Sequence, residues 1–152
     1  MSVANVANAV NTPLNNLNWT IPWTNFQYFT WYAGNNAWFP AGAQNDPAFP
    51  QTPVQASWGS TNVFAPAAGT YQFTVVSILN ADSAIIHFNL NGVDTYFDCY
   101  AAGADAKSLV WTQSLLQGNN TISMDTLTKN VLSSDYQIRL LLDGILVSYA
   151  GP

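Results

Sequence analysis

The sequence predicts an all-β protein, an antiparallel β-sandwich of eight to ten strands. Charged residues make up only 7 % of the 152 residues, and the chain has no glutamate. Since Glu, Lys and Arg are the common residues of exposed helix surfaces, their scarcity argues against an all-α protein. Short alternations of apolar and polar residues recur in the second half of the chain, as in strands that bury one face. Only residues 101–107 could form a single helical turn.

The first part of the chain, up to Pro66, differs in composition from the rest. Seven of the eight prolines lie at or before Pro66, and five of the six tryptophans lie at or before Trp58. Residues 1–16 are small and polar and predict an extended N-terminal arm that orders only against a neighbour. Four prolines in residues 40–53 predict a long loop, because proline disfavours both helices and central strands. We therefore expect an arm over residues 1–16 and one domain over residues 17–152.

Regular strands are predicted in the second part of the chain. Residues 71–75 and 86–90 alternate between apolar and polar side chains. Asn91-Gly92 predicts a tight hairpin, because both residues tolerate positive φ. The returning strand covers residues 93–100, and a last alternation over residues 136–142 precedes a closing strand. This arrangement is typical of a sandwich with short connections.

Three segments of this part of the chain resemble known jelly-roll families. Residues 64–73 (FAPAAGTYQF), followed by Asn91-Gly92, resemble a stretch of the jelly rolls in complement globular heads and tumour necrosis factor. Residues 138–149 resemble their closing strand, in which a run like residues 143–146 fills the core of a trimer. Residues 116–122 (LQGNNTI) are similar to a late motif of jelly-roll carbohydrate-binding modules. The resemblance covers about residues 60–150 and implies a jelly-roll β-sandwich.

The first functional hypothesis is assembly on a viral particle. The polar positions are filled with amides and hydroxyls, which cost less to bury in a contact than charges. Together with the trimer resemblance, this predicts a homotrimeric capsid decoration (cement) protein of a bacteriophage or another virus, whose partner is a capsid protein. With no signal peptide at residues 1–10 and no possible intramolecular disulfide, we expect it in the virion, after synthesis in the host cytoplasm. The candidate subunit-interface residues are Leu141, Leu146, Tyr149, Trp31 and Phe29.

The alternative hypothesis is a carbohydrate-binding module or a viral receptor-binding fibre tip. Nine aromatic residues crowd residues 19–39, and aromatic rings stack well on sugar rings. The candidate sugar-stacking residues are Trp23, Trp38 and Trp58. This alternative predicts an exposed aromatic row beside Asp or Asn, whereas assembly predicts that the same rings are buried at an interface.

Other classes of function have little support in the sequence. Three cations, Lys107, Lys129 and Arg139, cannot neutralise a nucleic-acid backbone, and no apolar stretch is long enough to span a membrane. His87 and Cys99 are expected on opposite strand faces with no third partner, so we predict no catalytic role and no cofactor. Calcium bound by Asp94, Asp98 and Asp105 stays an open alternative, although their spacing matches no dedicated calcium loop.

Overall fold

The computed structural model describes residues 17–26, 29–32, 37–40, 55 and 57–152, and gives the backbone alone for 29–32 and 37–40. The predicted arm over residues 1–16 and most of the proline-rich segment lie outside the described residues. The described part forms ten strands and one short 3-10 turn at Trp23–Asn25, so the predicted all-β class is confirmed. The strands are β1 Asn18–Pro22, β2 Phe29–Tyr32, β3 Ala37–Pro40, β4 Ser57–Ala65, β5 Gly69–Leu79, β6 Ile85–Leu90, β7 Val93–Asp98, β8 Asp105–Leu115, β9 Gly118–Thr128 and β10 Leu140–Gly151.

The strands build two antiparallel sheets that face each other. A six-stranded sheet has the order β2-β3-β10-β5-β8, and β1 also pairs with β10. A four-stranded sheet has the order β4-β9-β6-β7. The helical turn considered at residues 101–107 does not form, because β8 begins at Asp105 and pairs along its whole length with β5.

The core lies between the sheets and is filled by the apolar members of the predicted alternations. Phe73 from β5 and Phe88 from β6 are completely buried. Trp111 from β8 stacks on both, with ring centroids 4.9 Å from Phe73 and 5.0 Å from Phe88. Aromatic rings in such offset contacts add to the free energy gained by burying their area. The six-stranded and four-stranded sheets are therefore joined by one aromatic cluster.

The hairpin at Asn91-Gly92 forms as predicted. Asn91 has a φ of 52° and Gly92 a φ of 85°, the positive values that a two-residue turn requires. This turn fixes the register of β6 on β7, in which Leu90 pairs with Val93 and His87 pairs with Tyr96. The outward side chains of the two strands are thereby placed side by side.

The alternation predicted over residues 136–142 is wrong at its end. Only an isolated bridge at Gln137 precedes β10, and Leu142 has a φ of 60° and is exposed. A bulge between Leu141 and Leu146 resets the alternation, so that Ile145 points into the core and Leu146 points outward. In the run of residues 143–146, which the resemblance places in a trimer core, Gly144, Ile145 and Leu146 pair with β1 of the same chain.

Candidate functional site

Two of the three predicted sugar-stacking tryptophans are core residues. Trp23 is fully buried and donates its indole N–H to the Leu142 carbonyl oxygen at 3.1 Å. Trp58 is 3 % exposed and donates its indole N–H to Thr126 Oγ1 at 2.9 Å. Because a ring enclosed by its own chain offers no face to a ligand, the prediction is wrong for both residues. The side chain of Trp38 lies outside what the structure describes.

The predicted interface residues have different surroundings. Leu146 is 40 % exposed and points outward from the six-stranded sheet. Tyr149 is half-buried and packs edge-on against Tyr71, with ring centroids 5.3 Å apart, and Leu141 is half-buried beside the core. Phe29 and Trp31 lie in β2, where the backbone alone is described. The subunit interface stays a prediction for all five residues, which are Leu141, Leu146, Tyr149, Trp31 and Phe29.

A polar cluster with one aromatic ring lies on the outer face of the four-stranded sheet. Because Ile86 and Phe88 point into the core, His87 and Asn89 of β6 point outward. The hairpin register places Tyr96 and Asp94 of β7 opposite them, and β9 places Asp125 opposite His87 from the other side. We call these five residues, His87, Asn89, Asp94, Tyr96 and Asp125, the Tyr96 cluster.

Short hydrogen bonds hold the Tyr96 cluster together. His87 Nδ1 lies 2.7 Å from Asp125 Oδ2, and His87 Nε2 lies 2.7 Å from Asp94 Oδ1. Asn89 Nδ2 donates to the same Asp94 oxygen at 2.8 Å. The His87 ring stacks on the Tyr96 ring with centroids 4.4 Å apart and planes 11° apart. The Tyr96 side chain is thus fixed on one side, while 59 % of the residue remains exposed.

The charges of the Tyr96 cluster are matched to this geometry. Desolvation by burial lowers the pKa of His87, but the hydrogen bonds to Asp125 and Asp94 outweigh it, so that the pKa is raised above 6.5. The hydrogen bonds from Asn89 and His87 lower the pKa of Asp94. A protonated imidazole donates from both nitrogens, which is what two flanking carboxylates require. With His87 protonated, the two carboxylates and one imidazolium leave the cluster one negative charge.

The Tyr96 cluster has the composition of a binding surface. Cys99, the single cysteine of the chain, is buried as predicted. Burial raises the pKa of its thiol to about 12. Such a thiol stays protonated and unreactive near neutral pH. The arrangement offers an exposed ring, carboxylate oxygens and an amide to a ligand.

The three aspartates considered for calcium do not converge. Asp94 is bound to His87 and Asn89, whereas Asp98 accepts a hydrogen bond from Asn130 Nδ2 at 2.7 Å. Asp105 lies 3.7 Å from Lys107 Nζ. Within the described ranges, no group of three or more His, Cys, Asp or Glu side chains could hold a metal ion. In the same part of the chain, no helix is long and apolar enough to cross a membrane.

A groove lies on the opposite side of the sandwich, on the outer face of the six-stranded sheet. It has a volume of about 410 Å³, which lies in the range of ligand sites. Strands β1, β5 and β10 supply its walls and floor, and none of its residues is charged. The lining residues are Asn18, Trp19, Thr20, Gln72, Thr74, Leu146, Val147 and Ser148.

Part of the Tyr96 cluster could have been found in the sequence. A two-residue turn at Asn91-Gly92 implies that His87 faces Tyr96 and that Asn89 faces Asp94. No sequence signal connects His87 to Asp125, because the two residues lie 38 positions apart and meet only through the pairing of β6 with β9.

Comparisons with known proteins give a fold but no family. No protein-family model matches the chain, and no curated protein matches it. Among solved structures, a GH26-CBM35 β-(1,4)-mannanase from Podospora anserina shares 13 % identity over 89 % of this chain and 28 % of its own, with a TM-score of 0.53. A Paenibacillus xanthan lyase shares 18 % identity over 89 % of this chain and 12 % of its own, with a TM-score of 0.56.

A family 35 carbohydrate binding module from Clostridium thermocellum shares 18 % identity over 88 % of this chain and 93 % of its own, with a TM-score of 0.45. The chain spans less than a third of either enzyme. At such identities the likeness to the two enzymes shows a shared jelly-roll-like fold and does not indicate function. Nothing in these comparisons points to a virus, a capsid or a homotrimer.

Proposed function

We propose that this protein binds carbohydrate through the Tyr96 cluster. The observation that carries the proposal is one exposed aromatic ring, fixed by a stacked imidazole, beside carboxylate and amide groups. Sugar binding is expected to need exposed aromatic rings next to Asp or Asn. Tyr96, Asp94 and Asn89 supply that combination with one ring instead of a row.

The ring and the polar groups match the two kinds of surface on a sugar. The apolar face of a pyranose packs on an aromatic ring, and its hydroxyls donate to and accept from polar side chains. Asp94 Oδ1 accepts the bonds from His87 and Asn89, whereas Asp94 Oδ2 accepts none from the described part of the chain. A sugar hydroxyl next to Tyr96 can donate to that second oxygen.

His87 prepares the Tyr96 ring for binding. A tyrosine that must be ordered by its ligand loses rotamer freedom on binding, which weakens affinity. Here the imidazole already holds the ring, and Asp94 and Asp125 hold the imidazole. We therefore assign His87 and Asp125 as positioning residues and Tyr96, Asp94 and Asn89 as contacts to the ligand.

The fold comparisons support the proposal indirectly. The mannanase with a CBM35 label in its name contains a region of similar fold, with a TM-score of 0.53. The likeness is one of fold, and the ligand of this protein is argued from Tyr96 and its neighbours alone.

Affinity electrophoresis in gels that contain soluble polysaccharides, followed by calorimetry with the retained ones, tests the proposal. We expect Tyr96→Ala to weaken binding about tenfold, since losing a stacked ring removes on the order of 1 kcal/mol besides its buried area. Phe64→Ala is the matched control, because Phe64 is 63 % exposed on β4 of the same sheet but outside the Tyr96 cluster.

Two results would contradict the proposal. The first is a wild-type protein retarded by no polysaccharide in a broad panel of neutral and charged chains. The second is retardation that Tyr96→Ala and Asp94→Asn leave unchanged, because the binding surface would then lie elsewhere on the molecule.

A further inference from the structure

We propose that the groove on the outer face of the six-stranded sheet is a second ligand site, and that it takes a neutral glycan chain. The inference rests on the proposed function in that the ligand is a carbohydrate. It concerns a different face of the sandwich and none of the residues of the Tyr96 cluster. The two sites can therefore fail independently.

Around the groove, the paired outward positions of β1, β10, β5 and β8 that the structure describes carry no charge. In the paired rows of β1, β10, β5 and β8, the outward positions hold hydroxyl, amide and small apolar side chains. Among these positions are Asn18, Thr20, Leu146, Ser148, Thr70, Gln72, Thr74, Val76, Ser108, Val110, Thr112 and Ser114. Isolated soluble domains usually hold charge on about a quarter to a third of their surface. Since only 7 % of the whole chain is charged, what distinguishes this face is its array of amides and hydroxyls beside a groove.

The polar side chains form a continuous row across four strands. Asn18 pairs with Ser148, Ser148 with Gln72, and Gln72 with Thr112. Neighbouring strands lie about 4.8 Å apart, so three gaps extend the row over about 14 Å. Such a length exceeds one sugar ring and fits several consecutive units of a chain that crosses the strands.

A second row beside the first supplies apolar contacts. Thr20, Leu146, Thr74 and Val110 face outward in register. Leu146 is 40 % exposed and Val110 is 47 % exposed. A chain in the groove can therefore place hydroxyls against Asn18 and Gln72 and carbon-bound hydrogens against Leu146. A chain that continues past the groove across β8 would meet Val110. The outward position of Leu146 fits contact with a ligand as well as contact with a second subunit.

The absence of charge selects the class of glycan. Amides and hydroxyls both donate and accept, as sugar hydroxyls do. A uronate or sulfate group in the groove would lose hydration without meeting a cation, and burying an unpaired charge is costly. The groove residues thus favour a neutral chain over an acidic one, and salt should have little effect on binding.

Residue-resolved NMR titration tests this inference, because it reads the two faces separately. The probes are neutral cello-, manno- and galacto-oligosaccharides, with an oligogalacturonate as the acidic comparison. We expect at least one neutral probe to shift the amide signals of Gln72, Thr74 and Ser148, in the wild type and in Tyr96→Ala. Gln72→Ala should raise the dissociation constant fitted to the shifts of Thr74 and Ser148 about fivefold, as expected for the loss of one hydrogen bond. Asn62→Ala is the control, since Asn62 is an exposed amide on the other sheet.

Each other outcome overturns a stated part of the account. Shifts confined to the Tyr96 cluster overturn the groove and leave the proposed function standing. Shifts confined to the groove support the inference and overturn the role of Tyr96. Equal shifts with oligogalacturonate overturn the preference for a neutral chain. If the groove signals shift with protein concentration in the absence of sugar, and the protein has a mass above that of one chain, a second copy occupies the face. That result overturns the inference. The absence of shifts on both faces overturns both sites.

Discussion

Replacing Gly144 by alanine should detach β1 from the sandwich. A Cβ atom at this position would lie 1.9 Å from the Ile21 carbonyl oxygen and 2.9 Å from Pro22 Cα, both of them backbone atoms. Backbone atoms cannot swing aside as a flexible side chain can, so the pairing of Pro22 with Gly144 must open. The expected loss in the free energy of unfolding follows from the contacts that β1 makes with the rest of the fold.

Ile21 is 3 % exposed, and exposing such a side chain costs about 1.5–3 kcal/mol. Two lost ladder hydrogen bonds add about 1 kcal/mol each. Gly144→Ala should therefore lower the free energy of unfolding by about 3–5 kcal/mol and the melting temperature on the order of 10 °C. Urea denaturation followed by tryptophan fluorescence, with a thermal melt beside it, measures both quantities.

Gly103→Ala is the matched control for this experiment. A Cβ at Gly103 meets nothing within 4 Å, so the same chemical change should alter stability by less than about 0.5–1 kcal/mol. If Gly144→Ala is as stable as the wild type, β1 does not pack against β10 as described, and the reasoning on the closing strand is refuted.

Three further predictions follow from buried and titratable groups. Trp58→Ala should destabilise the fold by about 3–5 kcal/mol in urea denaturation, because it leaves a cavity in the core, and wild-type stability would contradict its burial. His87→Gln should cost more stability near pH 5.5 than near pH 9. The raised pKa of His87 gives a contribution that is complete below 6.5 and is lost as pH rises through the folded value. An equal cost at both pH values would refute the ion pairs. Cys99 should react with a thiol reagent at pH 8 only after denaturation, because burial raises its pKa to about 12, and rapid labelling of the native protein would contradict this.

Regular half-buried strands could be predicted because their pattern is local. The alternation of residues 71–75 and 86–90 follows from one face packing on the core, and β5 and β6 bear it out. The bulge of β10 could not be predicted in this way. Leu142 takes a positive φ within the bulge, and its carbonyl oxygen accepts a hydrogen bond from the Trp23 indole N–H. Trp23 lies 119 positions away in the sequence, so no local pattern indicates this contact.

The candidate site was predictable only where local geometry determines it. Asn91-Gly92 determines that His87 lies beside Tyr96, whereas the carboxylate of Asp125 arrives through the pairing of β6 with β9. The tryptophans show the opposite error. Their abundance indicated a platform for sugars, but composition does not say which face of a strand meets the core, and Trp23 and Trp58 are buried.

A crystal structure with a bound oligosaccharide, chosen by the electrophoresis screen, tests the central claim most directly. The account predicts a sugar ring packed on the exposed side of Tyr96, with a hydroxyl hydrogen-bonded to Asp94 Oδ2 and with the His87 stacking unchanged. The cluster should hold its geometry between the free and bound forms, because His87 already fixes the ring. A bound sugar that touches neither Tyr96 nor Asp94, in crystals where that face is open to solvent, would contradict the claim.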